Sequence, residues 1–265
     1  MLKITGITMK KYNKGLAIAV LSLLSPLLVN AQNLSPIQQK IAASMAMDHR
    51  TDGERERDAD RDPVNAMEFA GLKDNMTVIE FLPAGQAYYT KILGPVLVDN
   101  GHLMVVDSQS TFDNWDESWT ADEKYAMTHQ VPIESRYIGS EGRYSIEELK
   151  FGVPSNSADM FLFVREYHNF NTADAALINA KVFDTLKPGG SYVVIDHTRR
   201  HNAPETGVSG RREDPVAVIT QVLAAGFVLD KASDMFYEES DDLTKEVGQI
   251  ANMTDRFFFV FKKPE

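Results

Sequence analysis

Short apolar runs alternate with helical segments along this chain from residue 76 onward. Such alternation indicates parallel strands joined by crossover helices, which places the chain among α/β proteins. Seven runs have strand length: Met76–Leu82, Gly101–Asp107, Arg136–Ser140, Ser157–Val164, Ser191–Asp196, Phe227–Ser233 and Arg256–Lys262. The pattern therefore predicts one doubly wound, Rossmann-like sheet of seven strands.

Residues 32–75 are predicted to form N-terminal helices that act as a lid in front of the sheet domain, residues 76–265. Proline follows Ser35, which signals a helix start, and apolar residues recur behind it at helical spacing. The densely charged stretch Asp48–Asp62 comes next. A further helix is expected to end at Gly71.

The first 31 residues have the pattern of a secretory signal peptide. Four lysines precede an apolar run from Leu16 to Val29, and small residues surround the expected cleavage point after Ala31. The apolar run is shorter than the roughly 20 residues that a bilayer span needs. We therefore expect export, with a periplasmic location and no stable membrane insertion of the mature chain.

Charge and cysteine content exclude several classes of function. A formal net charge of −11 argues against nucleic acid or an anionic membrane as a partner, because both attract clustered lysine and arginine. The chain has no cysteine, so disulfides, iron–sulfur clusters and cysteine nucleophiles are excluded. A small-molecule substrate fits this composition better.

Polar residues follow the apolar runs at the points where each predicted strand ends. Glu80 and the loop to Ala87 follow the first run, Asp107 ends the second, and His168 and His197 follow later ones. Ligands of open parallel sheets bind outside these carboxyl ends. An acid 27 residues beyond Glu80, on the neighbouring strand, is placed to hold a ribose diol, which indicates a nucleoside-containing cofactor.

Eight short segments carry a resemblance to known proteins: Arg57–Pro63, Val78–Gly85, Tyr88–Leu93, Tyr167–Asn169, Leu186–Gly190, Val194–His197, Ala224–Phe227 and Thr254–Phe257. Together they resemble the class I S-adenosylmethionine-dependent methyltransferases, and most closely a group of exported predicted methyltransferases. The resemblance covers roughly residues 50–265.

This resemblance implies a seven-stranded sheet with its last strand antiparallel and S-adenosylmethionine bound over the first two strand ends. Glu80 would face the methionine or ribose part of the cofactor. Asp107 would hold the ribose hydroxyls. The loop backbone would approach the methionine part at Pro83, Ala84, Gly85 and Ala87.

The loop after the first strand departs from the family pattern. The family loop is rich in glycine, whereas this one has alanine at positions 84 and 87, glutamine at position 86 and glycine only at position 85. Glycine lets the backbone turn sharply and come close to a ligand, and each added side chain narrows that space.

Candidates for chemistry cluster after the fourth and fifth strands. His168 is our first choice for the base or the acceptor-orienting group, because imidazole titrates near neutral pH. Tyr167 is a further catalytic candidate that either packs on the cofactor or fills the core. Asn169 is an expected substrate contact and stands where similar proteins tend to carry an aspartate, which removes a possible carboxylate partner for His168. His197 is expected to face the substrate or to be structural, since its spacing to His201 matches no established metal motif.

Arginines provide candidate contacts to the substrate. Arg199, Arg200, Arg211 and Arg212 flank a loop that is either a lid or a solvated basic segment, and Arg212 is the better candidate of the last two. Arg57 and Arg61 approach the same pocket from the N-terminal side, with Arg61 the expected substrate contact.

The sequence favours an exported methyltransferase that acts on a small molecule. Two alternatives remain at this stage. One is a non-catalytic ligand-binding protein on the same scaffold, suggested by the altered loop. The other is a hydrolase or metal-dependent enzyme that uses His168 and His197.

Overall fold

The computed structural model describes residues 34–265 except 134–136, 141–142, 147–148 and 251. The predicted signal peptide, residues 1–31, lies outside the described residues, so its cleavage stays a prediction. Among the helices that the structure describes, none combines the length and the apolar character needed to cross a bilayer.

Four helices precede the sheet: α1 (Pro36–Met45), α2 (Asp52–Arg55), α3 (Asp58–Arg61) and α4 (Pro63–Ala70). Capping residues explain their starts. The Ser35 hydroxyl accepts from the Gln38 N–H, and the Gln38 side chain accepts from the Ser35 N–H, which forms a capping box on α1. Helix α4 ends at Gly71, whose φ of 84° is the left-handed conformation that glycine tolerates.

The central sheet has seven strands in the order β3-β2-β1-β6-β7-β9-β8. These are β1 (Thr77–Phe81), β2 (His102–Asp107), β3 (Thr128–Pro132), β6 (Ala158–Val164), β7 (Leu186–His197), β8 (Val228–Ser233) and β9 (Arg256–Lys262). Strand β9 runs antiparallel to both of its neighbours, and the other pairs are parallel. The predicted Rossmann-like sheet with an antiparallel last strand is confirmed.

The prediction of the third sheet strand was wrong. Strand β3 occupies that place, beside β2, and lies outside all seven predicted runs. The predicted strand Arg136–Ser140 corresponds to β4 (Tyr137–Ser140), which pairs with β5 (Arg143–Ile146) in a separate two-stranded sheet. Strand β3 lies at the sheet edge and is largely exposed, so its residues lack the apolar run that marks a buried strand.

The described part of the chain has five further α-helices: α5 (Thr90–Leu97), α6 (Gln109–Asp113), α7 (Glu117–Thr120), α8 (Thr172–Thr185) and α9 (Pro215–Ala224). Alternate residues of the strands face opposite sides of the sheet. One apolar cluster joins the sheet to α1, α4 and α5, and the other joins it to α8 and α9. With both faces covered, the carboxyl-end edge of the parallel strands is left to bind ligands.

Candidate functional site

A cavity of about 440 Å³ opens at the carboxyl ends of β1, β6 and β7. Its volume lies within the roughly 300–1,000 Å³ usual for small-molecule sites. Its walls are formed by helix α3 with the residue before it, the loop after β1, the turn after β6, the end of β7 and side chains from later loops. The lining residues include Arg57, Arg61, Glu80, Pro83, Ala84, Gln86, Arg165, Glu166, His168, Asn169, His197 and Arg211.

The loop after β1 keeps a glycine-type backbone without glycine at the critical positions. Leu82, Ala84 and Ala87 have φ values of 55°, 56° and 48°, all in the left-handed region. The single glycine, Gly85, is not in that region, and a Cβ added to it would meet nothing within 4 Å. The chain therefore makes the turn with residues for which this conformation is unfavourable.

Three of the six predicted cofactor-binding residues line the cavity, namely Glu80, Pro83 and Ala84, whereas Gly85, Ala87 and Asp107 do not. Ala87 is fully buried. The side chain of Gln86 was expected to narrow the space for the ligand. Gln86 is exposed on the cavity wall and does not fill the cleft.

The carboxylate of Asp107 supports the loop from below. Its Oδ2 accepts from the Ala84 N–H at 3.0 Å, and its Oδ1 accepts from the Ser108 N–H at 2.6 Å and the Thr111 hydroxyl at 2.8 Å. A carboxylate has about four acceptor sites, so one is left for a ligand hydroxyl. The sequence implied two hydrogen bonds from the ribose hydroxyls to Asp107. In this arrangement the carboxylate can accept only one.

Glu80 is a buried carboxyl group on the cavity wall. The Thr90 hydroxyl donates to its Oε2 at 2.6 Å. Burial, reinforced by the neighbouring charge of Asp107, raises the pKa of Glu80 to about 8. Glu80 is therefore mostly a neutral acid at pH 7 and offers a hydrogen-bond donor to a ligand.

His168 is paired with a buried aspartate. Its Nδ1 lies 2.7 Å from Oδ1 of Asp196, and its backbone N–H donates to Oδ2 of the same carboxylate at 2.9 Å. Because an ionised carboxylate only accepts, Nδ1 carries the proton and Nε2 is the basic nitrogen. Asn169 brings no carboxylate to His168; Asp196, from β7, is the carboxylate partner instead.

His197 positions a second side chain of the cavity, Arg165. The Arg165 Nε–H donates to Nε2 of His197 at 3.0 Å, so Nδ1 of His197 carries the proton and faces the Thr254 hydroxyl at 2.8 Å. Burial lowers the pKa of His197 well below its usual value, which keeps the ring neutral and able to accept. His197 therefore acts as a positioning residue in this structure.

The charged stretch before β1 reaches the cavity through Arg57 and Arg61. The Arg61 guanidinium lies over the ring of Tyr88, 4.3 Å from its centroid. The Tyr88 hydroxyl donates to Asp58 at 2.7 Å, and Arg256 donates to Asp60 at 2.7 Å. These two contacts hold α3 against the sheet domain, so Arg61 borders the cavity as predicted.

Besides Gly85, Ala87 and Asp107, two predicted site residues do not line the cavity. Tyr167 packs in the core with α8 and α9, where its hydroxyl donates to Gln221 at 2.9 Å and accepts from Asn179 at 2.8 Å. This corrects its prediction as a catalytic residue and supports the core-filling alternative. Arg212 is fully buried and forms two hydrogen bonds to Asp241, at 2.8 and 3.0 Å, so it is structural.

Other predicted contacts are placed as follows. Asn169 lines the cavity, and its side-chain amide donates to Glu166 at 2.5 Å. Arg211 lines the cavity instead of Arg212 and pairs with Glu246. His201 pairs with Asp214 at 2.9 Å, and in the part of the chain that the structure describes no group of His, Asp and Glu residues is arranged to hold a metal ion.

Sequence reasoning missed Arg165 and Glu166. Both follow β6 directly, at the strand-end position that had drawn attention to His168. Burial raises the pKa of Glu166 to about 7, close to the pH at which a general acid or base is most useful. The rule that ligands bind at strand ends would have found both residues, had it been applied to every residue after β6.

Comparison with known proteins identifies solved structures of similar fold. No protein-family model and no curated protein matches the chain. An S-adenosylmethionine-dependent methyltransferase from Aquifex aeolicus is similar, with a TM-score of 0.55 and 14% identity over 85% of this chain and 98% of that one. The cyclase SpnF has a TM-score of 0.55 and 14% identity, over 86% and 92% of the two chains.

An arsenic(III) S-adenosylmethionine methyltransferase from Chlamydomonas reinhardtii is a third similar structure. Its TM-score is 0.51 at 12% identity, over 85% of this chain and 73% of that one. At such low identity the likeness establishes the fold. This chain has the Rossmann-like fold of S-adenosylmethionine-dependent methyltransferases.

Proposed function

We propose that this protein transfers a methyl group from S-adenosylmethionine to a small-molecule acceptor. One observation carries the proposal. The left-handed loop after β1 and the buried His168–Asp196 pair border the same cavity at the carboxyl ends of the strands. The similar structures from Aquifex and Chlamydomonas are named for the use of this cofactor, which supports the assignment.

The residues around the loop fit this cofactor. Pro83 and Ala84 would lie beside its methionine part, and Glu80 offers a neutral carboxyl group on the same wall. Asp107 does not line the cavity but fixes the loop through the Ala84 N–H, and its remaining acceptor site would serve a ribose hydroxyl. When bound, the cofactor supplies an electrophilic methyl group.

The chain itself supplies orientation and a proton acceptor. Nε2 of His168 is the nitrogen that takes the proton of the acceptor, and Asp196 fixes the ring and stabilises the imidazolium that results. The low exposure of both side chains excludes water from this pair. The acceptor therefore needs a protonated oxygen or nitrogen within hydrogen-bond reach of His168.

Titration calorimetry with S-adenosylmethionine and with its demethylated product, S-adenosylhomocysteine, tests the proposal directly. We expect both to bind, and Asp107→Asn to weaken both at least about tenfold, since hydrogen bonds to charged groups contribute about 1.5–3 kcal/mol. Asp113→Asn, an exposed aspartate on α6, is the matched control and should bind as the unmodified chain does.

Failure of the unmodified chain to bind either compound would refute the cofactor assignment. If another ligand then co-purified with the chain and was identified by mass spectrometry, the protein would be a non-catalytic binding protein on this scaffold. Binding without turnover of any co-purifying acceptor would refute the enzymatic part alone.

We also propose that the chain is exported and works in the periplasm after cleavage behind Ala31. The support is the lysine-led apolar segment of residues 1–31. Intact-mass measurement of protein recovered from the periplasmic fraction should give a chain that begins at Gln32. Recovery of the uncleaved chain, or of all the protein in the cytoplasmic fraction, would overturn this proposal.

A further inference from the structure

Arg165 is a cavity side chain without an ion pair among the described residues; the carboxylates of Asp196 and Asp60 act on it only from beyond ion-pair distance. Its only side-chain hydrogen bond within the described chain goes from Nε to neutral His197, which leaves both terminal nitrogens of the guanidinium without a partner. Burial, together with the nearby positive charges of Arg61 and Arg256, lowers the pKa of Arg165 to about 10. Its backbone is also strained, with a φ of 62°.

Arg61 borders the same cavity and, like Arg165, has no ion pair among the described residues. Its guanidinium lies over the ring of Tyr88, and its Nε is buried with no hydrogen-bond partner. Neither acid of the cavity wall forms an ion pair with these arginines among the described residues, and burial raises the pKa of Glu80 to about 8 and that of Glu166 to about 7.

The fully buried arginines of this chain differ from Arg61 and Arg165, which are half-buried on the cavity wall. Arg50, Arg212 and Arg256 are almost fully buried, and each contacts an aspartate at 2.5–2.8 Å. A buried charge without a counterion is costly, and a pair of like charges in one cavity is more so. The exception at Arg61 and Arg165 thus requires a reason, and a ligand that brings the missing anion provides one.

We propose that the methyl acceptor carries a carboxylate that binds between Arg165 and Arg61. This inference rests on the proposed function, because only a methyltransferase binds a methyl acceptor. The planar guanidinium matches a carboxylate with two parallel hydrogen bonds, which favours this anion over a point charge. His197, which holds Arg165, has its ring centroid 6.1 Å from that of His168, so the carboxylate would bind close to the proton-accepting group.

Binding of simple carboxylates tests the inference without knowledge of the natural acceptor. The probes are benzoate and succinate, each compared with its neutral amide, benzamide or succinamide, by thermal unfolding and calorimetry on the mature chain. We expect the carboxylates to bind and the amides to bind about ten- to hundredfold more weakly. Arg165→Met and Arg61→Met should each remove this preference, and Arg165→Lys should restore only part of it.

Stability measurements separate a ligand-binding role from a structural one. Arg165→Met should leave the urea midpoint of the ligand-free protein unchanged or raised, because it removes an unbalanced charge. Arg212→Met is the matched control: it leaves buried Asp241 unpaired and should lower the midpoint strongly. A loss in Arg165→Met as large as that in Arg212→Met would overturn the inference.

The carboxylate of the cofactor's own methionine part is the other source of such an anion. S-Adenosylhomocysteine has this group and 5′-methylthioadenosine lacks it. If Arg165→Met and Arg61→Met weaken binding of the first compound but not the second, the arginines serve the cofactor and our assignment to the acceptor is wrong. If the substitutions leave the affinity for each of the two compounds unchanged but abolish binding of benzoate and succinate, the assignment of the arginines to the acceptor is supported.

The outcome for the cofactor is independent of the outcome for the anion. Carboxylate binding that depends on Arg165 in a chain that does not bind S-adenosylhomocysteine would retain the anion site and refute the methyltransferase proposal. Binding of S-adenosylhomocysteine with no arginine-dependent binding of benzoate or succinate would retain the methyltransferase proposal and refute the anion site.

Discussion

The left-handed alanine at position 84 allows a quantitative test of the strained loop. A non-glycine residue in this conformation costs about 1–2 kcal/mol, and glycine adopts it without that cost. Substituting glycine also frees the unfolded chain, which costs about 0.4–1 kcal/mol. Because Ala84 is exposed, Ala84→Gly removes no buried methyl group. We therefore expect it to raise the free energy of unfolding by about 0.5–1 kcal/mol.

Ala121→Gly is the matched control for this substitution. Ala121 is also exposed, but its φ is −84°, so glycine there brings only the unfolded-state cost. We expect a loss of about 0.4–1 kcal/mol and a difference of about 1–2 kcal/mol between the two variants. Urea unfolding gives the free energies, and melting temperatures should change by roughly 2–4 °C per kcal/mol. Equal destabilisation by both substitutions would show that position 84 is not strained.

Three further predictions concern the site and its surroundings. Asp196→Asn should slow methyl transfer by about 10²–10⁴-fold while cofactor affinity changes little, since Asn cannot hold the His168 imidazolium; unchanged turnover would contradict this role. Glu80 has a pKa of about 8 in the folded chain, above its unfolded value of 4.5, so its contribution to stability falls as pH rises from 4.5 through 8. Glu80→Gln should therefore gain stability relative to the unmodified chain over that window, by at most about 1.4 kcal/mol per pH unit, and a pH-independent difference in urea unfolding would exclude the shift. Tyr167→Phe should cost about 1–3 kcal/mol, because it leaves Asn179 and Gln221 without their partner; loss of turnover in a folded Tyr167→Phe would restore its predicted catalytic role.

The strands of the sheet interior were predictable because burial on both faces leaves a continuous apolar run. The run Arg256–Lys262 was located with both ends correct, and Met76–Leu82 was one residue too long at each end. Strand β3 was missed because an edge strand with exposed side chains carries no such signal. Strand β7 begins at Leu186, upstream of the predicted start at Ser191.

Positions at strand ends were predictable, but the directions of their side chains were not. His168 and Arg61 border the cavity as expected, whereas Tyr167, beside His168 in sequence, lies in the core. Neighbouring residues of a short turn face opposite ways, and packing against α8 and α9 selects the one that is buried. The prediction of Arg212 over Arg211 as a substrate contact failed for the same reason, because Arg212 forms an ion pair with Asp241, which is far away in sequence.

By itself, the order of apolar runs and helix signals determined the doubly wound sheet and the edge at which a ligand binds, because backbone periodicity and burial are local properties of a sequence. Tertiary structure alone decided the partners of the charged groups. Asp196 meets His168 across 28 positions of sequence, and His197 meets Arg165 across 32. Such pairings, and the absence of one at Arg61 and Arg165, depend on distances between strands that no local pattern encodes.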